Sequence, residues 1–149
     1  YNIIKMINYQ NILNKNLINV FKDILFQIKK NNLPNSFELY ITFISNHKKN
    51  LIPNWLLDKY PNQMTIVLQY EYSNLKIKKD AFSINLSFNN INTQLDIHFD
   101  SIISFADPSS NFGLKLREYD SEKNADKNIK NKKLNQKGNI INFSKFKKN

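Results

Sequence analysis

The hydrophobic pattern of this chain changes period once, at Pro34, and that change constrains the fold class. Between residues 9 and 31, Leu13, Leu17, Val20, Phe21, Ile24, Leu25 and Ile28 recur every three or four positions, which is the repeat of one helical face. Asn31, Asn32 and Pro34 end the pattern, because proline lacks the amide that a continuing helix needs. Beyond it Phe37, Leu39, Ile41 and Phe43 alternate with Glu38, Tyr40, Thr42 and Ile44, the period of a strand. Three more extended stretches follow, MTIVLQYEY, LKIKKDAFSINLSF and TQLDIHF, and a closing one runs around Phe112–Leu116. Polar breaks at Ser73–Asn74 and Asn89–Asn90 read as hairpin turns, and Asp107–Pro108 as a further turn. HKKNLIPNWLLDKYPNQ reads as a loop with one helical turn, opened by Pro53 and closed before Pro61. One helix and then five to six short antiparallel strands describe an α+β domain with a strongly bent sheet or small open barrel.

Composition narrows the chemistry. The chain has only two glycines, so asparagine must fill any left-handed backbone position, which it tolerates best among side-chain-bearing residues. It has no cysteine, which excludes disulfides, thiolate metal sites and cysteine nucleophiles. No apolar run is long enough to span a bilayer, and polar residues interrupt the N-terminal segment where a secretory signal would need an apolar stretch. The reading is of a cytoplasmic protein. Asp96, His98 and Asp100 alternate in DIHFD and would share one strand face, where two carboxylates and a histidine are metal-ligand types; a solvated polar face is the plainer reading. No catalytic motif is present, so neither an enzyme nor a cofactor is expected.

The net charge of +10 raises an alternative reading, a basic RNA-binding module. Yet Arg117 is the only arginine, and arginine is the residue that grips phosphate and guanine bidentately. Residues 117–149 also carry +6 of the +10, so the folding part is only mildly basic. From Arg117 to Asn139 apolar residues nearly vanish, which predicts disorder because burial cannot offset the entropy of ordering. As a coil this segment reaches roughly 26 Å. It ends in GNIINFSKFKKN. Apolar residues at the end of such a segment either fold back on their own domain or reach another protein.

At YITF, YPNQMTIVLQYEY, FSINLSF and FADPSSNFGLKL, across roughly residues 9–116, the sequence resembles stringent starvation protein B (SspB), in its alphaproteobacterial form, a family of adaptors for the protease ClpXP. Gln63 stands where members usually carry Glu, and Asn89–Asn90 where they carry a glycine-rich hairpin. The resemblance implies a helix followed by a bent, Sm-like (SH3-like) antiparallel sheet over residues 7–117, a flexible linker over 118–138, and a ClpX-docking motif over 139–149. It implies a homodimer formed through the N-terminal helix, with Leu13, Leu17, Phe21 and Leu25 as interface candidates. The implied partners are proteins bearing the ssrA peptide tag and the N-terminal domain of ClpX, with no membrane or nucleic acid. The docking residues would be Ile140, Ile141, Phe143, Phe146, Lys147 and Lys148.

The tag site follows from alternation together with the resemblance. In MTIVLQYEY, Met64, Ile66, Leu68 and Tyr70 take one face, which reads as core, and Thr65, Val67, Gln69 and Glu71 the other. Gln69 is the sharpest candidate, since its amide can both donate to and accept from a peptide backbone, and the family makes tag contacts at this position. Val67 shares its face. Phe105 is a candidate for the wall, and Ser83 and Asn85 are candidates on the polar face of the next strand.

Overall fold

In the computed structural model, residues 6–69 and 72–117 are described. The linker and docking motif assigned to residues 118–149, Ile140 to Lys148 among them, lie outside the described residues, as do Tyr70 and Glu71. The change of period is also a structural division: the chain separates into two compact units between residues 32 and 33.

The first unit is one helix, α1 (Tyr9–Lys30), within a residue of the predicted span. The side chain of Asn8 caps it by accepting the Asn11 amide at 3.0 Å, which satisfies one of the donors a helix start leaves open. Lys29 and Lys30 occupy its last turn, where positive charge complements the helix dipole. Phe21, Leu25 and Ile28 are buried, while Tyr9, Ile12, Leu13, Val20 and Phe26 are exposed.

Among the described residues the second unit has seven strands and a short helix: β1 (Glu38–Ile44), α2 (Asn54–Lys59), β2 (Gln63–Gln69), β3 (Ser73–Ile77), β4 (Ala81–Phe88), β5 (Ile91–His98), β6 (Ile102–Asp107) and β7 (Phe112–Lys115). One sheet has the order β2-β1-β6-β7 and the other β3-β4-β5, with every described pair antiparallel. The α+β order matches the sequence reading. The strand count is higher because LKIKKDAFSINLSF divides at Lys78–Asp80, where the Lys78 amide donates to the Ala81 carbonyl at 2.8 Å. Ser73–Asn74, expected to be a hairpin turn, lies inside β3. Asn74 has φ 52°, and the ladder to β4 shifts register between Ser73 and Lys76, so the polar pair makes a bulge.

The other polar breaks are turns. Asn89 and Asn90, with φ of 52° and 66°, join β4 to β5 while Phe88 pairs with Ile91. Two left-handed residues in a two-residue loop match the twist of a hairpin. Asp107 accepts the Ser110 amide at 3.3 Å and opens a 3-10 turn that Asn111 closes at φ 55°. The core of this unit draws on both sheets, with Phe43, Phe82, Phe105, Ile41, Ile66, Leu68, Ile84 and Leu95 among its fully buried members.

Candidate binding groove

A concave site lies between β2 and one end of β4. Among the described residues β2 pairs only with β1, so its far edge presents unpaired backbone groups. In the other sheet the β3–β4 ladder begins at Ser73 opposite Asn85. Leu86, Ser87 and Phe88 lie beyond that described ladder and pair with Thr93, Asn92 and Ile91 of β5. Between these edges is a groove of about 320 Å³ lined by Thr65, Ile66, Val67, Gln69, Tyr72, Leu86, Ser87 and Phe88. The lining mixes apolar side chains with hydroxyl and amide groups, and none of the described residues in it is a lysine, arginine or carboxylate.

Cross-strand pairs build its β2 wall. Strict alternation buries Met64, Ile66 and Leu68, at 3%, 2% and 0% exposure, and turns Thr65, Val67 and Gln69 outward. The register sets Thr42 opposite Thr65, Tyr40 opposite Val67, and Glu38 opposite Gln69. The two threonine hydroxyls share a hydrogen bond of 2.8 Å. Gln69 Nε2 donates to Glu38 Oε2 at 3.3 Å, and the Tyr40 hydroxyl donates to Glu38 Oε1 at 3.0 Å. Glu38 thus holds one amide hydrogen of Gln69. The Gln69 carbonyl oxygen and second amide hydrogen extend the groove's polar repertoire. The Gln69 backbone carbonyl accepts the Tyr72 amide at 3.1 Å, which brings Tyr72 onto the site.

Of the tag-binding candidates, Gln69 and Val67 line this groove and the others do not. Phe105 is 1% exposed in β6, its ring centroid 6.0 Å from that of Phe112; it is a core residue and not a wall. Ser83 is 3% exposed, paired between Lys76 and Asp96 in the ladders. Asn85 is half-buried between Ser73 and Gln94. Both lie on the row of β4 that reaches the groove only at Ser87. Sequence reasoning missed Leu86 and Phe88 because they continue the core alternation of Phe82 and Ile84. The pairing register places both beyond the described β3–β4 ladder.

Of the helix candidates, Leu13 is exposed and Leu17 half-buried. Phe21 and Leu25 are buried. The exposed apolar positions Ile12 and Val20 extend the Leu13 and Leu17 stripe instead.

The DIHFD stretch forms a structural joint. Its alternation ends at His98, since Asp100 belongs to a 3-10 turn over Phe99–Ser101. Asp96 keeps Oδ1 buried without a hydrogen-bond partner, yet no three histidine or carboxylate groups converge as a metal site among the described residues. His98 stacks on His47, centroids 5.7 Å apart at 11°. Asn50 ties the loop after β1 to this end of β5, accepting the His98 amide at 2.7 Å and donating to the Ile44 carbonyl at 2.9 Å. His47 has its pKa lowered, first by burial and then by the charges of His98, Lys49 and Arg117, against which Asp100 acts.

No helix among the described residues is long and apolar enough to cross a membrane. In comparison with known families, residues 12–147 match the family model of stringent starvation protein B. That match spans the second unit and nearly all of α1, and continues into the tail. No curated protein matches the chain.

Proposed function

The chain belongs to the stringent starvation protein B family, and on that premise we propose that it is a proteolytic adaptor, binding ssrA-type peptide tags in the β2–β4 groove and tethering their bearers to the ClpX unfoldase of ClpXP. The observation that carries this reading is the groove itself, which sets a strand edge that is unpaired among the described residues beside the half-buried ring of Phe88. A peptide laid along β2 in extended form gains backbone hydrogen bonds from that edge. Its alternate side chains cover Phe88, which the fold leaves half-buried. Gln69 supplies the side-chain contact, and Val67 the apolar floor beside it.

The tail completes the task. Residues 118–138 act as the linker, and Ile140, Ile141, Phe143, Phe146, Lys147 and Lys148 as the peptide that docks on the ClpX N-terminal domain. A linker of this length holds the bound substrate near the unfoldase at an effective concentration of roughly millimolar, so each contact can be weak. Residues Ile12, Leu13, Leu17 and Val20 of α1 supply the stripe for a second copy, and a dimer offers two grooves and two tails. The adaptor lowers the apparent KM for tagged substrates without chemistry of its own.

The competing reading, an Sm-like RNA-binding module, rests on the +10 charge. Among the described residues the groove lining contains no cation to meet a phosphate. Titration in salt separates the two, since binding through several phosphates falls by decades and groove-bound peptide loses far less.

The deciding experiment follows ClpXP degradation of a tagged reporter with and without the protein. Faster degradation at low substrate is expected. Deleting residues 139–149 should preserve tag binding and abolish the enhancement; full delivery by the truncated chain would refute the docking assignment.

A further inference from the structure

At the end of the β4–β5 ladder away from the groove, where Ala81 pairs with His98, the fold gathers the chain's two histidines and its one arginine. His47 and His98 share a local geometry. Each ring accepts at Nδ1 the backbone amide two residues on, that of Lys49 at 3.2 Å and that of Asp100 at 3.1 Å. An Nδ1 that accepts places the neutral ring's proton on Nε2. Neither Nε2 hydrogen has a partner among the described residues. The rings stack at 11°, and Asn50 bonds to both sides of the joint, so both donors are fixed in advance of any ligand. Arg117 lies against the same joint. Its Nε donates to the Ile102 carbonyl at 2.9 Å, just past the 3-10 turn that carries Asp100, which leaves its terminal amines. It is half-buried, and among the described residues no carboxylate stands within ion-pair distance of it. Burial lowers its pKa, with Asp100 acting against that, as for a guanidinium that has given up water without a full countercharge. The charges of Arg117 and Lys49 both reach His47.

We propose that this joint, formed by His47, His98, Lys49 and Arg117, is an anion site that takes a single phosphate group, free or as the ester of a small molecule. It stands apart from the peptide groove and does not depend on it. The planar terminal amines of an arginine match two oxygens of a tetrahedral anion, and the two Nε2 hydrogens and the Lys49 ammonium serve the rest. Arginine and imidazole gain more here than on an open surface, because Arg117 has already lost part of its hydration. Asp100 limits what the site accepts. Its side chain is 56% exposed and lies 3.6 Å from His98 Nδ1, so Lys49 and Arg117 are opposed by one carboxylate while both histidines are neutral. That balance suits one compact anion. A polynucleotide draws its affinity from a row of cations along its backbone, and this cluster is a single group wide.

Both histidines of the chain lie in the site, so their ring-proton NMR signals report it directly. The full chain is held at about pH 7.5, where unperturbed imidazoles are neutral. Inorganic phosphate and, separately, glycerol phosphate replace chloride at constant ionic strength, with acetate as the carboxylate control. Both histidine signals should shift saturably, with half-saturation at about 1 mM, the scale of a few charge-assisted hydrogen bonds after ordering costs. Arg117→Gln should weaken binding about tenfold, and Lys49→Gln, on an exposed side chain, about threefold. Tighter binding of the ester than of free phosphate would assign the site to an esterified ligand, and the reverse to phosphate itself; either result supports the site. If Arg117→Gln fails to fold, Lys49→Gln and His47→Phe, read through His98, carry the test, and unchanged half-saturation in both overturns the proposal. No shift when phosphate replaces chloride, an equal response to acetate, or full binding by folded Arg117→Gln overturns it as well. So does a short single-stranded oligonucleotide that binds more tightly than either phosphate, which would make the joint part of a nucleic-acid surface.

Discussion

Strands β2 and β6 are the two neighbours of β1, one on each side, yet they do opposite things with similar sequences. MTIVLQ and IISFAD are both short and mostly apolar. In β2 burial alternates strictly and its outward row stays open; in β6 adjacent residues Phe105 and Ala106 are both buried, at 1% and 0% exposure. The difference is position. β6 has β7 on its far side, where Gly113 lies so close that an added Cβ would sit 3.1 Å from the Phe105 carbonyl oxygen and 3.3 Å from Ala106 Cβ. β2 has no described strand beyond it. An interior strand closes a structure, whereas an edge strand beside an unfinished core can receive one.

The sharpest way to break this contrast is to exchange the costs. Phe105→Ala empties a fully enclosed site and should destabilise the fold by about 3–5 kcal/mol, read as a lowered denaturant midpoint. Gln69→Ala should leave that midpoint unchanged and weaken tag-peptide affinity by about tenfold, the loss of one well-made hydrogen bond from a desolvated site. Labelled-peptide anisotropy measures the second effect. Unchanged affinity would remove Gln69 from the site, and an equal loss of stability in both variants would erase the distinction between the strands.

The sequence made one side of this contrast legible and hid the other. Alternation put Gln69 and Val67 on one outward face, because a half-open strand writes its faces at period two; the family resemblance supplied the tag-contact role proposed for them. It misplaced Phe105, because a residue's face says nothing about whether a further strand covers it. Ser83 and Asn85 were chosen on polarity, but their row reaches the groove only at Ser87. Leu86 and Phe88 were hidden by resembling core, which Leu86 is; their place in the groove lining is a matter of where this end of β4 lies relative to β2. In α1, periodicity found the stripe but not which part of it stays exposed, so Phe21 and Leu25 were indistinguishable from Leu13. Turn chemistry was more readable. With two glycines in the chain, the four described non-glycine residues at positive φ are all asparagines: Asn74, Asn89, Asn90 and Asn111. Asn90→Ala should cost about 1 kcal/mol, since alanine lacks the tolerance for left-handed backbone, whereas Asn90→Gly should be neutral or slightly stabilising. Because Phe88 and Ile91 flank this turn, the alanine variant also asks whether the groove depends on hairpin geometry.

The smallest effect separates exposure from recognition. His47 is partly exposed, like the outward row of β2, but its contacts are internal: its ring stacks on His98, and its Nδ1 accepts the Lys49 amide at 3.2 Å. Burial and the neighbouring positive charges of His98, Lys49 and Arg117 hold its pKa below 6.5, against the pull of Asp100. The unfolded chain therefore takes up the proton first as pH falls. Stability should be full above about pH 6.5 and decline below it until the folded state is protonated as well. Protonation at Nδ1 also removes the acceptor for the Lys49 amide, so the loop after β1 should loosen over the same interval. His47→Gln should flatten the pH dependence of the melting temperature between about 7 and 5, while tag affinity at neutral pH stays unchanged. If His47→Gln weakened tag binding instead, partial exposure on this unit would no longer separate the binding edge from the rest of its surface, and the assignment of recognition to β2 would lose its control.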